Sequence, residues 1–281
     1  MDRERVLRRN NVALRGTPGA PPMALLHGFG CDQGVWRHVA PAFESTHRVV
    51  LLDHVGSGGS DLAAHDPVRH SRVEGYAEDL VEVLDALDLG AAVLVGHSVS
   101  AMIAVLVAAQ RPDLVQRLVL VGPSPRYVDE RGYTGGFSRE EVEELLETMD
   151  GNYLGWARST APFIMGTPDR PELGDELTGS FCRTDPDVAR CFARATFLGD
   201  NRADLRRVRT PALVVQSRVD AVAPPAVGRY VHEHLPGSEL VVLDAVGHVP
   251  VLSAPGELVE VIRRYLASPV LALPAGDPAR T

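Results

Sequence analysis

The chain has 281 residues, 45% of them hydrophobic, which is enough for one large domain, or one domain with an insertion, around a sizeable core. A net charge of −9 argues against a broad nucleic-acid-binding face, and no apolar run approaches the ~18 residues of a membrane span. All 28 basic residues are arginine, which excludes a lysine Schiff base and a P-loop lysine.

The start, Met1-Asp2-Arg3-Glu4-Arg5, lacks the apolar stretch of a secretory signal. Cys31, Cys182 and Cys191 are an odd set without Cys-x-x-Cys. Together these features predict a cytoplasmic protein without a disulfide framework or a zinc site; no cofactor is expected.

Met23 to Leu26, Arg48 to Leu52, Ala92 to Val95 and Leu118 to Val121 are short, nearly continuous Val/Leu runs, as strands buried on both faces of a parallel sheet require. Between them Tyr76, Leu80, Val83, Leu84 and Leu87 recur at helical spacing, and Gly90 is expected to end that helix. Ser98 to Gln110 is apolar almost all round and reads as a buried helix. This alternation predicts an α/β fold with a doubly wound, mostly parallel sheet.

The rhythm breaks after Val121. From Pro125 to Leu205 no strand is evident, and helices are expected over Glu140 to Met149 with Ser138 as N-cap, Leu173 to Phe181 and Pro186 to Phe197. Most of the phenylalanines lie here, so the segment reads as an inserted helical lid over a pocket. Alternation resumes with strand Ala212 to Gln216, a helix near Ala226 to His234, strand Leu240 to Leu243 and helix Gly256 to Leu266. The expected organisation is therefore core 1–124, lid 125–205, core 206–267 and a Pro-rich disordered tail 268–281. Arg206-Arg207-Val208-Arg209 reads as a solvated linker, and His232 and His234, two apart on a helix, point to different faces rather than to a metal.

Ser98 lies in Gly96-His97-Ser98-Val99-Ser100, where a strand meets a helix. A serine on such a turn projects outward with the following amide beside it. The usual pattern is Gly-x-Ser-x-Gly; Ser100 replaces the last glycine. A nucleophilic serine needs a base and an acid that orients the base, both from loops at the carboxyl ends of later strands. His248 follows Gly247 after one such strand, and Asp220 follows another in Ser217-Arg218-Val219-Asp220. Asp244 is a weaker choice for the acid, and His97, adjacent to Ser98, is read as a packing or hydrogen-bonding residue.

Oxyanion donors are expected from the Val99 amide and from the Phe29 amide in His27-Gly28-Phe29-Gly30. Asp53 to Ser60 superficially resembles a phosphate loop but lacks its lysine, so it reads as a structural turn. Phe29, Phe137, Trp156, Phe163, Phe197 and Val222 are the expected substrate-pocket lining.

His27-Gly28-Phe29-Gly30-Cys31-Asp32-Gln33, Asp53-x-x-Gly56-Ser57-Gly58-x-Ser60-Asp61, Gly96-His97-Ser98-Val99-Ser100 and Gly247-His248 together resemble the α/β-hydrolases. More narrowly, with Ser124-Pro125-Arg126-Tyr127, Tyr133-x-Gly135-Gly136-Phe137 and Asn152-Tyr153-x-x-Trp156, the chain is similar to the group that holds the bacterial stress-response regulator RsbQ and the plant strigolactone and karrikin receptors, over about residues 5 to 267. The resemblance implies Ser98 as nucleophile, Asp220 as acid, His248 as base, and Phe29 and Val99 as oxyanion donors. It also implies two functions. One is hydrolysis of a small, largely apolar ester or lactone; the other is a small-molecule sensor whose lid docks a signalling protein. Lyase or oxygenase chemistry on the same fold is a third option. Ser98 stands where a haloalkane dehalogenase would carry an aspartate.

Overall fold

The computed structural model describes residues 2–269; most of the expected tail, 268–281, lies outside the described residues. Seven strands form one sheet: β1 (Ala13–Gly16), β2 (Pro22–Leu26), β3 (Arg48–Leu52), β4 (Ala92–His97), β5 (Val115–Val121), β6 (Ala212–Val219) and β7 (Ser238–Val246). Their spatial order is β1-β3-β2-β4-β5-β6-β7; β1 runs antiparallel to β3 and all other pairs are parallel.

Alternate residues of each central strand face opposite ways. Met23, Leu25, Val93, Val95, Val119 and Val121 therefore enter one core layer, while Ala24, Leu26, Ala92, Leu94, Leu118 and Leu120 enter the other. Each fully buried Val or Leu contributes about 1.5–3 kcal/mol, so both faces must be covered by helices.

The helices are α1 (Arg3–Arg9), α2 (Val73–Leu87), α3 (Val99–Gln110), α4 (Arg139–Gly151), α5 (Tyr153–Met165), α6 (Pro171–Arg183), α7 (Pro186–Phe197), α8 (Arg202–Leu205), α9 (Pro225–His234), α10 (Pro250–Ser253) and α11 (Pro255–Ala267). Leu80 and Val83 of α2, Ile103 of α3 and Val231 of α9 cover one face, and Leu258 and Ile262 of α11 cover the other. Helix α3 is buried on all sides from Val99 to Ala108, which explains its lack of amphipathicity. No helix among the described residues is long and apolar enough to cross a membrane.

Several boundaries differ from the sequence-based expectation. Helix α2 ends at Asp88 rather than Gly90: Asp88 adopts the left-handed conformation (φ 51°) that short polar side chains tolerate, and Gly90 lies beyond it in the loop. Helix α5 has no clear sequence signature, because Gly155 and Pro162 interrupt its pattern; Asn152 caps it by accepting from the Gly155 amide. The short elements α1 and β1 likewise lie outside the expected pattern. Ser138 caps α4 in a reciprocal capping box with Glu141, and α4 to α7 all lie between β5 and β6.

Candidate active site

The β4–α3 junction forces Ser98 into φ 58°, ψ −125°, a region that costs a non-glycine residue about 1–3 kcal/mol. The surroundings hold it there. Its amide donates to Val121 O at 2.8 Å, and at Gly96 a Cβ would fall 2.3 Å from Ser100 O, so strand and helix cross too closely for any other residue. Ser100 uses its hydroxyl as a tie: Oγ donates to His27 O and meets His54 Nε2 at 2.7 Å, joining the ends of β2 and β3 to α3. The serine in place of glycine is thus a structural bond behind Ser98.

His248 and Asp220 reach Ser98 from the ends of β7 and β6. Gly247 has φ 92° and a Cβ there would lie 1.8 Å from Met165 O; its amide donates to Val219 O, and the His248 amide donates to Ile164 O at 2.9 Å. Asp220 Oδ1 accepts from the Val222 and Ala223 amides at 2.8 and 2.9 Å, while Oδ2 lies 2.8 Å from His248 Nδ1. A carboxylate only accepts, so Nδ1 carries the proton. His248 Nε2 is then free to accept from the Ser98 hydroxyl, 2.8 Å away.

All three residues are buried. Burial acts to raise the Asp220 carboxyl, but the His248 ring with its hydrogen bond and the two amides outweigh it and hold the group below the usual carboxylate range.

Asp244, the alternative acid, is exposed and paired with Arg218 at 2.7 Å. His97 makes no hydrogen bond to Ser98 and meets the His248 carbonyl through Nε2 at 2.8 Å. Burial and the adjacent His248 push His97 down to about 3, so its ring is neutral and Nε2–H is the donor. Asp53 accepts from the Gln33 and Gly59 amides and from Asn11, which makes the glycine-rich segment a structural turn. His234 stacks on Tyr230 at 3.9 Å, and His232 bonds Ser238.

The β2 turn passes directly against this group. A Cβ on Gly28 would lie 3.2 Å from Ser98 Cβ, and Gly30 (φ 71°) has the Phe181 ring in the space a side chain would take. Among the described residues, neither the Phe29 nor the Val99 amide donates to a protein acceptor.

Two cavities lie in series. An inner chamber of about 30 Å³ is lined by Ser98, His97, His248, Tyr127, Cys31 and apolar side chains of α5 to α7. An outer cavity of about 360 Å³, a size suited to a small ligand, is lined by all six expected pocket residues: Phe29, Phe137, Trp156, Phe163, Phe197 and Val222. Phe29, Ile164, Phe197 and Val222 border both spaces. Glu141 and Glu144 lie along the outer wall, and among the described residues no arginine lines either cavity.

Sequence reasoning missed Ile164 and Tyr127 as site residues. Ile164 sits on the unforeseen helix α5. Tyr127 carried a motif signal, but nothing in the sequence shows that its hydroxyl reaches to 3.4 Å from Ser98 Oγ.

Comparison with known proteins bears on the family and the fold. Residues 21–198 match the family described as alpha/beta hydrolase fold, and residues 185–277 match the TAP-like protein family. Strigolactone esterase D14 of Arabidopsis thaliana is 36% identical over 95% of this chain and 99% of its own. The Probable esterase D14L of Oryza sativa subsp. japonica is 37% identical over 92% of this chain and 95% of its own. The solved structure of a hydrolase from Oleispira antarctica superposes with a TM-score of 0.92 at 42% identity, covering 95% of this chain and 97% of that one.

Proposed function

Since the chain belongs to the α/β-hydrolase family, we propose that it is a serine hydrolase that cleaves a small, largely apolar ester or lactone through an acyl-enzyme. The observation that carries this reading is the relay Asp220–His248–Ser98, with both of its hydrogen bonds at 2.8 Å in a buried site.

His248 Nε2 takes the Ser98 proton as Oγ attacks the substrate carbonyl, and Asp220 keeps the imidazole in the tautomer that can accept it. The oxyanion is received by the Phe29 and Val99 amides, which are worth about 2.7–4 kcal/mol each in the barrier where such donors act. His248 then protonates the leaving oxygen, and water, deprotonated by the same imidazole, releases the acid. The aromatic outer wall favours an apolar substrate, and Glu141 and Glu144 on that wall disfavour an anionic one.

Ser98→Ala is expected to lower hydrolysis of p-nitrophenyl acetate by on the order of 10⁶-fold, as for a triad acting as a unit. Undiminished turnover in that variant would sink the reading.

A second reading is favoured by one specific observation: Karrikin insensitive 2 receptor CA of Petunia hybrida is 36% identical over 92% of this chain. In this reading the inserted helices sense the small molecule and dock a signalling partner, and hydrolysis is slow. Ligand titration followed by thermal stability and limited proteolysis of α4–α7 separates the two. Fast turnover with no change in proteolysis favours the hydrolase.

A further inference from the structure

Tyr127 stands in the loop between β5 and α4, and its side chain is 2% exposed. Its carbonyl accepts from the Phe137 amide at 3.1 Å, and its ring meets Phe197 edge-on at 5.0 Å. The ring is thereby fixed in the inner chamber with Ser98 and His248. Its hydroxyl lies 3.4 Å from Ser98 Oγ and bonds no other group among the described residues. The Ser98 proton is directed at His248 Nε2, so between the two hydroxyls Tyr127 is the donor and Ser98 Oγ the acceptor.

We propose that the Tyr127 hydroxyl is a further catalytic group, which donates to Ser98 Oγ as that oxygen departs in deacylation. The proposal rests on the reading of Ser98 as nucleophile. Burial pushes the Tyr127 phenol up to about 12, so it stays protonated and able to donate throughout the neutral range.

The effect differs between the two halves of the reaction. In the resting enzyme Oγ is a hydroxyl oxygen and already accepts from Tyr127. Once acylated, Oγ shares its lone pair with the carbonyl and is a poor acceptor. Water then loses a proton to His248 and adds to the acyl carbon. The C–Oγ bond breaks, its electron pair remains on Oγ, and the imidazolium Nε2–H returns a proton to it. Tyr127 keeps its own proton and meets the charge that develops on Oγ. Only interactions stronger in the transition state than in the preceding ground state accelerate a step. For deacylation that ground state lacks the bond; for acylation it has the bond. Deacylation therefore gains more.

Tyr127→Phe keeps the ring against Phe197 and removes only the hydroxyl. In stopped-flow hydrolysis of p-nitrophenyl acetate, the steady rate is expected to fall about tenfold, the size of one neutral hydrogen bond, while the first-turnover rate constant stays within about twofold. An acetyl group should accumulate on Ser98 in the intact-protein mass. Partial misfolding scales burst amplitude and steady rate together, so the ratio of steady rate to burst amplitude reports deacylation alone. An unchanged ratio, or equal slowing of both phases without an adduct, overturns the role of Tyr127. Ser98→Ala is run in parallel. If it still turns over, the nucleophile reading itself fails; if it is inert and Tyr127→Phe accumulates no adduct, only the Tyr127 assignment falls.

Discussion

Ser98, Asp220 and His248 are placed by backbone geometry, whereas the four helices that roof them meet the core mostly through side chains. On the core side the fixing elements are a serine at φ 58°, a glycine at φ 92° and amides that donate to named carbonyls and carboxylates. On the roof side, apart from the Ile164 carbonyl that takes the His248 amide, they are the Phe29–Phe181 ring contact, the Ser180 hydroxyl on Gly30 O, and ion pairs such as Arg37–Glu176 and Arg183–Asp32. Backbone placement tolerates no compromise, because a new Cβ has nowhere to go. Side-chain placement gives way by degrees. The lower half of the site is therefore held mainly by backbone and the upper half mainly by side chains.

The harshest way to break this contrast is Gly247→Ala. The new methyl group would meet Met165 O at 1.8 Å in a conformation reserved for glycine, and we expect a loss of more than about 3 kcal/mol together with activity. A thermal midpoint within a degree or two of the parent would show that the core turn adjusts after all.

Acid comes next. Burial lowers His27, His54 and His97 below the ordinary histidine value, so each binds fewer protons folded than unfolded as pH drops below about 6.5. The unfolded chain gains protons first, so stability is complete above that pH and declines beneath it. The decline approaches about 1.4 kcal/mol per pH unit for each ring that stays neutral. Asp220, held low, adds a loss at still lower pH. Urea midpoints measured from pH 7 to pH 5 should decline; a flat series contradicts this.

The gentlest is Arg37→Ala, which removes a fork of 2.5 and 2.7 Å onto Glu176 between partners that are 42% and 38% exposed. Solvent screening limits the stability cost to about 1 kcal/mol or less. Protease cleavage within α6 should nevertheless quicken, and added salt should reproduce the effect in the parent. A cost as large as that of Gly247→Ala would erase the distinction between the two regions.

What the sequence disclosed follows the same division. Strand-end turns carry local signatures, so the positions of Ser98, Asp220 and His248 were legible from short motifs and from the order of the strands. Four of the pocket residues, Phe137, Trp156, Phe163 and Phe197, were legible as aromatic enrichment in the break in the alternation, while Phe29 and Val222 sit on strand-end loops. Helix α5 was hidden by Gly155 and Pro162, and with it Ile164 and the carbonyl that receives the His248 amide. The partners of Ser100 and the reach of the Tyr127 hydroxyl depend on which loops the sheet order brings together. Ser100 meets a histidine 46 positions away, and Tyr127 lies 29 positions beyond Ser98. No local pattern encodes such distances.

The lysine-free composition bears on labelling. Every side-chain cation outside histidine is a guanidinium, which stays protonated and does not attack activated esters. No side chain offers a primary amine to compete for an acyl donor. The free thiols of Cys182 and Cys191, both only partly buried, are then the competitors to remove, and a mass increment that persists when both are replaced reads as occupancy of the buried serine.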